Sequence, residues 1–163
     1  MDASRQSATT DRLDVLRVWI LGILALGLLG TVTELILLEH YEQPLQLVPV
    51  GLIVAALVVI AWHLLRRDSA SLNTLLGLMV LFVLAGFAGV VAHFHGSTEF
   101  QLELNPDMGT WELLEKVLRA KAPPLLAPGM MLQLGLLGLA YGLSDARYRT
   151  RALGALGLSH AKE

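Results

Sequence analysis

The sequence predicts an all-α membrane protein, a bundle of four transmembrane helices with its amino and carboxyl ends both inside (N-in/C-in). Three observations carry that expectation. Four long stretches are almost free of charge, Lys and Arg fall on one side of the implied topology, and Pro or charged residues mark each reversal. Of the 163 residues, 55% are hydrophobic and only 16% charged, where soluble domains carry about a quarter. The mean hydropathy is +0.61. There are no cysteines, which removes disulfides, thiolate nucleophiles and cysteine metal sites together.

Residues 18–38 form the first apolar stretch, interrupted by Thr31, Thr33 and Glu34. It is longer than the roughly 7–15-residue core of an export signal and runs into Glu34, Glu39 and His40 without a small-x-small site, so it reads as a retained helix. The second stretch, residues 48–65, stops at Arg66 and Arg67. The third runs over about 75–93. The fourth, 125–143, follows Pro123 and Pro124 and ends before Ser144 and Asp145. Each is close to the roughly 20 residues that cross a hydrocarbon core. Residues 1–17 and 144–163 are then cytoplasmic segments flanking a membrane domain over 18–143.

With the amino end inside, the inner segments hold Arg5, Arg12, Arg17, Arg66, Arg67, Arg147, Arg149, Arg151 and Lys162, while the outer segments hold Lys116, Arg119 and Lys121. That bias sets the direction, with both ends on the cytoplasmic side. The inner basic residues are too scattered for a nucleic-acid patch, so no nucleic acid is expected; anionic lipid accounts for them.

The outer loop between the third and fourth spans covers 95–124. Its Glu99–Leu104 part alternates polar and apolar, as an extended surface segment does, and Asn105-Pro106-Asp107 signals a turn. Thr110 is placed to cap a short amphipathic helix with Trp111, Leu114, Val117 and Leu118 on one face, suited to the membrane interface.

Small residues mark close helix approach in lipid. Gly27, Gly30 and Thr31 make one stripe, extended by Glu34; Ala85 and Gly89 make another, extended by His93. Gly51 and Ala55 point through Val59 toward His63, and Gly138 and Gly142, with Gly135 beside them, mark the fourth helix. Glu34 and His93 are thereby expected to face other helices.

Glu34 lies about one turn inside the outer end of its helix, where an ionisable group costs a few kcal/mol unless paired, hydrated or protonated. Its topological neighbours are His93, His95, His40 and Glu39. Such His and carboxylate groups suit a first-row divalent ion: Zn, Cu, Fe or Mn. The blander alternative is a Glu–His hydrogen bond that fixes helix register. His40 with His93 is the one pair at a matching depth for a b-type haem. Met130 and Met131 are soft donors for copper, or ordinary lipid-facing or core residues. His63, at the other end, reads as a capping or interfacial side chain. No nucleophile triad, Walker motif, Rossmann fingerprint or HExxH is present, so the sequence names no reaction and leans away from an enzyme. An accessory subunit packed on a larger membrane complex, or a homo-oligomer, is the competing class.

Three segments carry a resemblance: residues 34–42 (ELILLEHYE) with Pro44 and Pro49; His93-Phe94-His95-Gly96 with 99–103 (EFQLE); and 123–130 (PPLLAPGM) leading to 134–141 (LGLLGLAY). Over residues 18–143 the chain resembles a family of small, uncharacterised bacterial four-helix membrane proteins. That resemblance implies the topology and the inner membrane, and it implies no catalytic role.

Overall fold

The computed structural model describes residues 2–39, 44–119, 126–145 and 148, with side chains from residue 11 onward and, in the last helix, from 128. The described residues are helical and contain no strand. Helix α1 spans Asp2–Leu37, α2 Leu47–Arg66 behind a short turn of 3-10 helix at Pro44–Gln46, α3 Ser69–Leu104, α4 Thr110–Leu118 and α5 Leu126–Leu143. Three stretches are long and apolar enough to cross a membrane: Asp11–Leu37, Pro44–Arg66 and Ser69–Leu104. The chain is a helical membrane protein. The fourth apolar helix is shorter, with its described apolar part at Pro128–Leu143.

The core rows follow a 3–4 spacing. Leu21, Leu24, Leu28, Thr31 and Leu35 turn inward on α1, and Ile53, Ala56, Ile60 and His63 on α2. On α3 the row is Leu72, Leu75, Met79, Phe82 and Gly86; on α5 it is Met131, Leu134 and Tyr141. This spacing keeps one seam per helix facing its neighbours, as in left-handed bundles. The α3–α5 pair packs most extensively. There a Cβ on Gly135 would lie 2.8 Å from Val83 Cγ2 and 2.9 Å from the Met79 carbonyl, and one on Gly86 would lie 2.8 Å from the Leu132 nitrogen. These glycines let two backbones meet where lipid offers no hydrophobic drive. The stripes read from the sequence are thus partly displaced. Gly27 meets Leu134, Gly89 meets Pro128, Gly138 meets Met79 and Gly142 meets Leu76, whereas Gly30 and Gly51 face open space.

Several boundaries move. Helix α1 starts at Asp2, well ahead of the apolar stretch that begins at 18, because nothing helix-breaking lies in 2–17. Helix α3 starts at Ser69, where Asp68 Oδ1 accepts from the Ser71 backbone N–H at 2.8 Å, an N-cap that a hydropathy reading does not see. It also runs through Leu104, so the extended segment expected at 99–104 is helical. Alternation over six residues also fits a helix when i,i+4 partners are present, and His95–Glu99 is one such pair. The helix stops at Asn105, ahead of Pro106, since the residue before proline avoids helical geometry. Helix α4 is capped by Gly109, without a side-chain bond, and not by Thr110. It packs back on α3 with Val117 fully buried while Trp111 is 78% exposed.

Candidate functional site

Two polar loci lie at opposite ends of the bundle. The first is a cleft of about 640 Å³ where α1, α2, α3 and α5 diverge. It arises because α3 outruns α5. Pro128, near the start of α5, meets Gly89, and the next turns of α3 carry Ala92, His93 and Gly96 past that point. Glu34 of α1 and His93 of α3 both line this cleft, as do Met130 and Met131 of α5. Glu34 sits beside the inward Thr31–Leu35 row and is itself exposed. Among the described residues its carboxylate has no ion pair. Thr31, buried one turn below, donates to its own helix at the Gly27 carbonyl, 2.8 Å away.

The remaining residues of the expected His–carboxylate set are distributed differently. Because α3 continues as a helix, His95 is rotated by about 200° from His93, and its Nε2 lies 3.1 Å from Glu99 Oε1 on the exposed surface. Glu39 follows α1 in a left-handed conformation, φ 52°, and is exposed. His40 lies outside the described residues. Among the described residues no group of three or more His, Asp and Glu is placed to hold a metal ion.

The second locus is at the other end, and its members were not singled out as a site in the sequence. His63 is only 4% exposed, not an interfacial cap. It continues the inward row of α2 and spends both ring nitrogens on neighbouring helices. Its Nδ1 lies 2.8 Å from Ser71 Oγ and its Nε2 3.0 Å from the Tyr141 hydroxyl. Ser71 Oγ donates to the Asp68 carbonyl at 3.0 Å. One consistent arrangement therefore has a neutral ring donating from Nδ1 to Ser71 and accepting from Tyr141 at Nε2. Tyr141 in turn lies under Arg17, whose Cζ is 5.1 Å from the ring centroid, a cation–π distance. Arg17 Nη2 donates to Asp145 Oδ2 at 2.7 Å, joining α1 to the end of α5. Asp68, in the turn outside the helices, has its carboxyl held below the usual carboxylate range, chiefly by the Ser71 backbone hydrogen bond.

The two loci differ in what they can do. Ser71 is fully buried and its proton is directed to a backbone carbonyl, so the Ser71–His63 contact has no room for a substrate. The network ties four helices together. The Glu34 cleft has room, a carboxylate and an imidazole. The signal for the closed locus was present in the sequence as the 3–4 row ending at His63 and the i,i+4 pair Tyr141 and Asp145. Comparisons with protein-family models, with curated proteins and with solved structures find no match to this chain.

Proposed function

We propose that the chain is a four-helix protein of the bacterial inner membrane, with both termini cytoplasmic, and that its outer cleft is a binding site in which Glu34 and His93 hold the polar part of a ligand. The observation that carries this reading is that a carboxylate from α1 and an imidazole from α3 line one cleft. An ionisable residue at this depth in a membrane helix is by default functional, and a cleft with mostly apolar walls and a few polar groups is the usual form of a small-molecule site.

The topology has its own support. Helix α5, with 18 residues, is about 27 Å long, close to the roughly 30 Å hydrocarbon thickness. The Arg17–Asp145 pair holds the beginning of the first span and the end of the last at the same level, as an even number of crossings requires. The Lys and Arg bias then puts that level on the cytoplasmic side.

A first-row transition-metal ion is the second reading, favoured by Met130 and Met131 in the wall shared with Glu34 and His93; thioether donors favour Cu(I), and imidazole suits copper as well.

Elemental analysis and native mass spectrometry of the protein purified without chelators test the reading. The wild type is expected to carry a bound component at about one per chain that Glu34→Gln and His93→Ala lose. A bare wild-type chain, or a component indifferent to both substitutions, would overturn it.

A further inference from the structure

Resting on that reading of the cleft, we infer the class of its ligand: an amphiphile with a long apolar chain and a head that donates hydrogen bonds, a hydroxyl or an ammonium group. Size is the first argument. A volume of about 640 Å³ falls within the roughly 300–1,000 Å³ of small-molecule sites and far exceeds what one coordinated ion fills.

The second argument is the shape and chemistry of the walls. Below His93, α3 lends Ala92, Ala88 and Ala85 to the lining, with Pro128 seated beside them on Gly89, and α1 lends Leu35. Those small side chains leave a groove that runs about 12 Å down the helix from His93 to Ala85. A groove that apolar over that length, inside a membrane segment, suits an acyl or prenyl chain; a hydrated head would be stranded there.

Charge selects the head. Glu34 is the acidic residue of the lining, and no Lys or Arg is among the described residues that line the cleft. A phosphate or carboxylate head would meet that like charge with no Lys or Arg among the described lining residues to offset it. Gln46 and Ser97 add neutral polar groups at the same level. A hydroxyl or ammonium can donate to the Glu34 carboxylate, the ammonium with charge assistance. Glu34 also lies three residues before the end of α1, about 4.5 Å along the axis, which is where an amphiphile's head sits when its chain follows the helix inward.

The test uses the full-length chain in detergent and three chain-matched probes: hexadecylamine, hexadecanol and hexadecyl phosphate, counted by native mass spectrometry. Wild type is expected to retain one amine or one alcohol per chain, and the phosphate at least tenfold less. Glu34→Gln is expected to lower amine retention at least fivefold and alcohol retention by a smaller factor, because only the amine loses a charge-assisted bond. Ala92→Phe, which fills the groove below His93, is expected to lose both; Ala88→Leu, one turn deeper, is the gentler check, and circular dichroism verifies the helices of each variant. Equal retention of the phosphate overturns the inference, and so does unchanged retention in both groove-filling variants. A wild type that carries a stoichiometric metal and none of the probes also overturns it, while leaving Glu34 and His93 as a binding pair.

Discussion

The end of the bundle where α1 approaches α5 is closed over its polar groups, and the end where α3 outruns α5 is not. At the closed end His63, Ser71, Tyr141, Arg17 and Asp145 come from four helices and pair across 2.7–3.0 Å contacts, with Arg17 Nε left over among the described residues. At the open end Glu34 and His93 line a cleft and stay exposed. Both ends hold ionisable groups in apolar helices; at the closed end they bond chiefly to one another, whereas at the open end Glu34 has no ion pair among the described residues and lines an open space together with His93. The contrast teaches that polarity in a membrane helix does not itself mark function. A group saturated by its neighbours is a fastener, whereas a group presented to a cavity is available for something else.

The sharpest way to break this contrast is at the closed end. Asp145→Ala leaves Arg17 without its counter-charge, and Arg17 Nε already lacks a partner among the described residues. The loss should be about 3 kcal/mol in detergent–denaturant unfolding, the lower end for a partnerless buried charge because the Arg17 side chain keeps 20% of its surface exposed. Arg17→Met with Asp145→Leu should recover most of it. Full stability of Asp145→Ala alone would mean that the pair fastens nothing.

Next come the glycines. Gly135→Ala drives a Cβ against the Met79 carbonyl and Val83 and should cost about 1–3 kcal/mol. Gly96→Ala, at the open end with nothing within 4 Å, should stay within about 0.5 kcal/mol. Equal effects at the two positions would erase the distinction between the packed α3–α5 seam and the open end.

A finer comparison sets two polar residues side by side. Tyr141→Phe removes the partner of His63 Nε2 and should cost about 1 kcal/mol. Glu34→Gln should leave stability unchanged or slightly raised, since it removes a charge that has no ion pair among the described residues. A large loss in Glu34→Gln would make Glu34 a structural residue after all.

The smallest effect is at Asp68. Its carboxyl titrates below its ordinary value in the folded state, so the charged cap stabilises the fold above that ordinary value and loses its contribution as pH falls below about 4. Asp68→Asn is expected to unfold more easily than wild type at pH 7, with the gap closing under acid. A gap that persists unchanged at pH 3 would assign the effect to something other than the charge.

The sequence by itself determined the helical membrane class, the four apolar stretches, the turn at Asn105-Pro106-Asp107 and the small residues needed for close packing, because each of these is set by local hydropathy, proline stereochemistry or side-chain size; that three of the helices are long and the fourth is shorter came from the structure. The sequence also singled out Glu34 and His93, since a charge inside an apolar run is visible without a partner. The tertiary structure decided the rest. Whether His93 faces a covering helix or a cleft depends on where α5 begins beside α3. Whether His63 is a cap or a buried hub depends on Ser71 and Tyr141 arriving from α3 and α5. The direction of His95 depends on α3 continuing past residue 95. Each is a question of which helix lies opposite a given side chain, and residues far apart in the chain answer it.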